Sequence, residues 1–147
     1  HNLEIFPYPF SDNEFDKIYC DNVVEHLEDV IRTMEELWRI SKPGGSIEIV
    51  VPYFRSKYAA IDPTHKHSFT IDSFSYFNPK HHFFKRYKYS EKRMEVESVR
   101  FDVGFEHRSF FMRRFVKFCN KHTQFYEGYL SSLIPLNSLT FNLKVIK

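Results

Sequence analysis

Glycine and cysteine are both scarce in this sequence of 147 residues. The four glycines, at positions 44, 45, 104 and 128, do not form a GxGxxG turn, in which glycines let the backbone approach a bound nucleotide. The two cysteines, Cys20 and Cys119, are too few for a disulfide framework and lack the spacing of a metal motif. Two unpaired thiols are typical of a protein of the reducing cytoplasm.

Long apolar runs and a strong net charge are absent as well. No stretch approaches the ~20 apolar residues that a membrane-spanning helix needs, and the N-terminus lacks the pattern of a signal peptide. The net charge of +2 neither favours nor excludes nucleic acid as a partner. We therefore expect a cytoplasmic protein with no membrane association. Because the chain begins with His1, it stays open whether it starts partway through a longer gene product.

Aromatic residues are abundant. The chain contains 17 Phe and 9 Tyr, and aromatic residues make up 18% of it. These bulky side chains can fill a hydrophobic core, which argues against disorder. At this length we expect a single domain over residues 1–147.

The N-terminal part of the chain has the pattern of one βαβ unit. An apolar run at 15–19 predicts a short strand, and apolar residues at three- and four-residue spacing predict a helix from near Val23. Asp21 or Asn22 would cap this helix, because a short polar side chain can accept from its free amides. A second apolar strand at 46–54 follows a Lys-Pro-Gly-Gly turn. The unit therefore predicts two parallel strands with a right-handed crossover.

The later part of the chain predicts further strands and helices. Residues 94–103 and 139–146 alternate apolar and polar side chains as strands do. Residues 110–133 have apolar faces at helical spacing, and we expect the basic helix at 110–121 to pack on the sheet and not on a membrane surface.

Five short motifs follow one another in the N-terminal part, and as a set they resemble the second half of a class I S-adenosylmethionine-dependent methyltransferase of the type 11 kind. They are Pro9-Phe10, Phe15-Asp16, Glu25-His26-Leu27, Lys42-Pro43-Gly44-Gly45 and Val51-Pro52. The resemblance implies an α/β fold with a partial Rossmann-like sheet made of strands four to seven. This sheet would be mostly parallel with an antiparallel last strand and helices on both faces. Residues 55–90 would form a loop region on the substrate side.

The glycine-rich loop that follows the first strand of such enzymes has no counterpart here, nor has the acid that holds the ribose. The resemblance therefore implies a domain without its first three strands. Such a chain should bind S-adenosylmethionine weakly or not at all. Its fourth strand would have an exposed edge, so we expect another chain segment, a partner chain or a second copy of the protein to cover it.

By the same resemblance, two groups of residues would contact the cofactor. Cys20, Asp21 and Asn22, at the end of the fourth strand, would line its methionine part. Asn2 and Leu3, at the end of the third strand, would lie near its adenine. Ligands of open α/β sheets do lie outside the carboxyl ends of the strands. The simpler interpretation is that Asp21 or Asn22 only caps the helix.

Two histidines are candidates for catalysis. His26 follows the fourth strand, and His65 lies in an Asp-Pro-Thr-His-Lys-His run beyond the fifth. An imidazole at either position could act as a general base on a hydroxyl or amine of the acceptor. Alternatively, both histidines make only structural hydrogen bonds.

A metal site is another possible use of these residues. Asp62, His65 and His67 could supply a carboxylate and two nitrogens to a zinc-type ion. Glu25 and His26 also resemble the end of a Glu-x-x-Glu-His run that binds a metal in ubiquinone-pathway O-methyltransferases, but Asn22 replaces the first glutamate. We therefore expect no metal.

The sequence thus predicts methyl transfer from S-adenosylmethionine to an oxygen, nitrogen or carbon acceptor that it does not identify. Two alternatives stay open, namely a non-catalytic methyltransferase-like binding or scaffold protein, and half of a split enzyme. It also stays open whether this chain is active by itself. Residues 80–93 interleave basic and aromatic side chains as single-stranded nucleic acid sites do, but a solvated approach to the next strand is the simpler interpretation.

Overall fold

Four strands form one sheet in this computed structural model, which describes residues 1–102 and 109–147. Their bounds are Phe15–Asp21 for β1, Ser41–Pro52 for β2, Arg93–Asp102 for β3 and Ser138–Ile146 for β4. The spatial order is β1-β2-β4-β3, with β1 parallel to β2 and β4 antiparallel to both of its neighbours. Three strands therefore point the same way and the last one opposes them. The predicted α/β sheet is confirmed.

Short helices and turns connect the strands. The helices span Val30–Ile40 (α1), Lys57–Ile61 (α2), His82–Tyr87 (α3), Phe110–Lys121 (α4) and Thr123–Phe125 (α5). There are also 3₁₀ turns at Val24–His26 and Ser75–Phe77, and a π-helical turn at Tyr126–Leu130. The helical region predicted from residue 110 is therefore confirmed. Val103, the end of the third predicted strand, lies outside the described residues.

The start of α1 differs from the prediction. The helix begins at Val30, where the Asp29 side chain accepts a 2.8 Å hydrogen bond from the amide of Arg32. Neither Asp21 nor Asn22 caps it, so that interpretation was wrong. The physical reason is tertiary: carbonyl groups that a longer helix would use are bonded to a distant loop instead. The Glu25 carbonyl accepts from the amide of Lys66 at 2.8 Å, and Leu27 accepts from a ring nitrogen of His67 at 2.8 Å.

One face of the sheet forms the hydrophobic core. Alternate residues of β2 and β4 are buried there, and the buried apolar side chains of α1 and α4 join the same cluster. The opposite face is polar: Lys17 pairs with Glu48 at 3.5 Å, and Tyr19 is 64% exposed. In the part of the chain described, helix packing is seen on the first face, and the second stays partly open. This pattern leaves the carboxyl ends of β1 and β2 accessible.

None of the helices that the structure describes is both long and apolar enough to cross a membrane.

Candidate functional site

A cavity of about 490 Å³ opens at the carboxyl ends of β1 and β2. Three segments line it: the turn after β1, the loop after β2 and the entry into β4. Its polar lining includes Asn22, Glu25, His26, Asp62, His65 and Ser138. Because β1 and β2 are parallel, their carboxyl ends meet at one edge, which is where open α/β sheets bind ligands.

Glu25 is the most unusual residue of this cavity. Its side chain is 0% exposed, and neither carboxylate oxygen has a hydrogen-bond partner of ordinary geometry among the described residues. Burial raises the pKa of Glu25, and this effect is only partly offset by the residue's own amide and by the two nearby imidazoles. A buried carboxyl group without a partner costs free energy, so its presence at a ligand-binding edge needs a reason.

His26 is oriented by a short hydrogen-bonded chain. Asp62 accepts from the hydroxyl of Thr64 at 2.7 Å and from its amide at 2.8 Å, and these bonds lower the pKa of Asp62. The hydroxyl oxygen of Thr64 lies 2.9 Å from Nδ1 of His26. Because the Thr64 proton points to Asp62, this oxygen accepts the proton on Nδ1. The lone pair of His26 is therefore on Nε2.

His65 has the same tautomer for a different reason. Its Nδ1 lies 3.3 Å from the carbonyl oxygen of Ala59, which can only accept, so Nδ1 carries the proton. The two imidazole rings meet edge to face, with centroids 4.7 Å apart and an interplanar angle of 63°. One ligand atom from each of Glu25, His26 and His65 lies within 4.8 Å of the others. These three residues could hold a metal ion.

Comparisons with known proteins identify this architecture. A family model for a methyltransferase domain matches residues 2–49. An uncharacterized methyltransferase of Schizosaccharomyces pombe is 42% identical over 43 residues, which make up 29% of this chain and 16% of that protein.

Solved structures agree over nearly the whole chain. A chain from the complex between the Haloferax volcanii Trm112 methyltransferase activator and a methyltransferase candidate has a TM-score of 0.60 at 14% identity, covering 100% of this chain and 60% of its own length. The YcgJ protein of Bacillus subtilis has a TM-score of 0.58 at 15% identity, covering 100% and 70%. An S-adenosylmethionine-dependent methyltransferase of Mesorhizobium loti has 0.55 at 13%, covering 98% and 67%. The chain has a class I methyltransferase fold.

The resemblance stated from the sequence is thereby confirmed at the level of the fold. The methyltransferase match covers β1, the turn after it, α1 and most of β2. Of these elements, the turn after β1 contributes Asn22, Glu25 and His26 to the cavity. The chain spans 60% of the first of these structures, and its match spans only 16% of the yeast protein.

The residues predicted to contact the cofactor do not lie together in one site. Asn22 lines the cavity and has a left-handed backbone, with φ of 51°. Leu3 and Cys20 line a separate apolar groove of about 430 Å³ beside β1. Burial raises the pKa of Cys20 to about 11, so its thiol is protonated at neutral pH. Asp21 is exposed and accepts from the side chain of Asn22 at 2.8 Å.

Asn2 lines neither the cavity nor the apolar groove beside β1. It lies in a turn and its side chain accepts from the amide of Glu4 at 3.0 Å. The residues 1–3, interpreted as the end of a strand, form no strand in the structure. The reason is that no neighbouring strand is present beside them to supply backbone hydrogen bonds in the described part of the chain.

The predicted catalytic histidines, His26 and His65, are brought together in the cavity. The Asp62, His65 and His67 set considered as a zinc site is not assembled, because Asp62 accepts from Thr64 and His67 bonds to Leu27. Sequence reasoning missed the role of Thr64. The Asp-Pro-Thr sequence could have indicated it, because an Asp side chain often bonds to the residue two positions later in a turn.

Proposed function

We propose that this chain forms the acceptor side of an S-adenosylmethionine-dependent methyltransferase domain and helps to transfer a methyl group to an oxygen, nitrogen or carbon atom of a small molecule. The observation that carries the proposal is the cavity at the carboxyl ends of β1 and β2, into which two oriented imidazoles converge. The methyltransferase family match over the same strands supports it.

The described residues fit only part of the cofactor. Gly45 packs at the other end of β1, where an added Cβ would lie 3.1 Å from the carbonyl oxygen of Asp16. Gly44 and Gly128 have open space around them, and none of these three glycines lies beside the cavity. Of Cys20 to Asn22, only Asn22 lines the cavity and could contact the methionine part, and the described residues form no glycine cradle for the nucleoside. We expect it to bind S-adenosylmethionine weakly or not at all by itself.

S-adenosylmethionine, when bound, supplies an electrophilic methyl group. The role of this chain is to hold the acceptor in line with that methyl group, because such positioning supplies most of the rate acceleration of a displacement. His26 and His65 both line the cavity, and the contacts of Nδ1 leave the Nε2 lone pair of each ring to take a proton from an acceptor hydroxyl or amine. Asp62 and Thr64 keep the His26 ring in the tautomer that this role requires.

A binding or scaffold role without catalysis is the second candidate, and half of a split enzyme is a third. The observation that favours both is the open edge of β1, which lies at the end of the sheet and borders the apolar groove. A partner chain could pair with this edge. The two free cysteines support a reducing, cytoplasmic setting for any of these functions.

Methyl transfer can be tested on the natural gene product that contains these residues. We expect transfer of a labelled methyl group from S-adenosylmethionine into small-molecule extracts, and we expect His26→Gln to lower turnover by about 10²-fold or more while leaving cofactor affinity unchanged. His122→Gln, at the exposed end of α4, is the matched control. If the gene product neither binds the cofactor nor transfers a methyl group, catalysis is refuted and the scaffold role remains.

A further inference from the structure

The carboxylate of Glu25 is buried, has no hydrogen-bond partner in residues 1–102 and 109–147, and belongs to a residue that lines the cavity. A protein usually satisfies such a group with a donor side chain, and the described residues supply none for it. The imidazoles of His26 and His65 lie nearby and lower the pKa of Glu25, whereas the carboxylate of Asp21 raises it. In its ionised form, this carboxylate would be satisfied by a cation or by a hydrogen-bond donor.

The two imidazoles are prepared for the same ligand. Thr64 fixes the proton of His26 on Nδ1, and the carbonyl of Ala59 does so for His65. Metal-bound histidines typically donate their other ring nitrogen to a carbonyl or a carboxylate-linked group in this way. A neutral imidazole with its lone pair on Nε2 is also the form that binds a metal.

We propose that Glu25, His26 and His65 bind a divalent cation of the zinc type. Their ligand atoms lie within 4.8 Å of one another. A point equidistant from three atoms at that separation is about 2.8 Å from each, so movements of roughly 0.7 Å would reach the bond lengths of about 2.0–2.2 Å that zinc makes to nitrogen and oxygen. Rotation of the two half-buried histidine side chains, one on a turn and one on a loop, can supply such movements.

The donor set selects the class of ion. Two imidazole nitrogens and one carboxylate favour zinc and its first-row neighbours over magnesium or calcium, which prefer oxygen ligands. Three protein ligands also leave a coordination position open, as in catalytic zinc sites and unlike closed structural ones. Because all three residues line the cavity, an open position on the ion would be reached from it.

This inference does not require methyl transfer, but it deepens that function if the chain has it. An acceptor hydroxyl in the open position would bind the cation directly, and the cation would lower the pKa of that hydroxyl. The two histidines would then act as ligands and not as bases. The sequence-based expectation of no metal rested on Asn22 in place of a glutamate and did not include His65.

Metal binding can be measured on the chain itself. We would remove metals with a chelator, titrate ZnCl₂ by calorimetry, and repeat the titration with Co²⁺ while recording visible absorption. The expected result is one ion per chain with micromolar or tighter affinity. Glu25→Gln and His65→Ala should each lower the affinity by about tenfold or more. His122→Gln should leave it unchanged, and circular dichroism verifies that each variant is folded.

The outcomes separate this inference from the proposed function. A stoichiometry near zero, or equal affinity in the triple variant Glu25→Gln, His26→Ala, His65→Ala, would overturn the metal site. Methyl transfer at the full rate after removal of metals would overturn the cation's part in the reaction and leave the proposed function intact. One bound zinc in a protein that transfers no methyl group would support the site and refute the catalytic proposal.

Discussion

The hydroxyl oxygen of Thr64 lies 2.9 Å from Nδ1 of His26, although the two residues belong to separate segments, one after β1 and the other after β2. The contact joins the two walls of the cavity. It also determines which nitrogen of His26 carries the proton, since Thr64 donates its own proton to Asp62. The chemistry of His26 therefore depends on a residue that does not line the cavity.

The first prediction concerns Thr64 as a positioning residue. In Thr64→Val the acceptor for the Nδ1 proton is lost, so the His26 ring should populate both tautomers, and the affinity for zinc should fall about 10–100-fold. Thr64→Ser keeps the hydroxyl and should restore both properties. Nitrogen NMR of the imidazole reports the tautomer without any metal. An unchanged tautomer in Thr64→Val would show that the contact does not orient His26.

The second prediction is a pH dependence caused by Glu25. Burial raises the pKa of this carboxyl in the folded protein, so the folded state binds its proton more tightly than the unfolded chain does. The resulting stability is fully present below the unfolded pKa of about 4.3 and is lost as the pH rises through the folded pKa. Glutamine does not titrate. After metals are removed with a chelator, the melting temperature of Glu25→Gln relative to that of the wild type should therefore rise with pH. A melting-temperature difference that stays constant with pH would contradict this assignment.

The third prediction tests the start of α1. Asp29→Ala removes the side chain that accepts from the amide of Arg32, and it should cost about 0.5–2 kcal/mol of unfolding free energy. Asp21→Ala, at the exposed end of β1, is the control and should stay within about 0.5 kcal/mol of wild type. Urea unfolding measures both. A larger loss in Asp21→Ala would restore the cap that the sequence suggested.

The fourth prediction concerns the segment that leads into β4 and the cavity. The Tyr126 hydroxyl is buried, donates to the carbonyl of Ile134 at 2.9 Å and accepts from the amide of Leu136 at 2.7 Å. Tyr126→Phe leaves both backbone groups unpaired and should cost about 1–3 kcal/mol in chemical denaturation. Tyr129→Phe removes a hydroxyl from a residue that is 72% exposed and should be nearly neutral. Equal losses in the two variants would contradict a specific role for the buried hydroxyl.

The fifth prediction concerns the open edge of β1. An unpaired strand edge beside an apolar groove favours association, so sedimentation of the 147-residue chain should show oligomers that increase with concentration. Ile18→Lys places a charge in the groove and should shift the distribution toward monomer. A monomer at every concentration would count against coverage of this edge by a second copy.

Local pattern was enough to predict the elements that support the site. Residues 139–146 alternate apolar and polar side chains, and apolar residues recur at helical spacing after Val30. Each pattern depends only on the residues of its own element. The helix start was wrong by several residues because hydrogen bonds from Lys66 and His67 to the turn after β1 are not encoded in the local spacing.

The amino-acid sequence by itself determined the order of strands and helices and the edge of the sheet at which His26 and Asn22 lie, because periodicity and turn chemistry act over a few residues. Only the tertiary structure decided that Glu25 is buried without a hydrogen-bond partner among the described residues and that His65 joins it and His26. This arrangement depends on where the loop after β2 folds back onto the turn after β1. Such a placement results from the packing of many distant side chains and has no local signal.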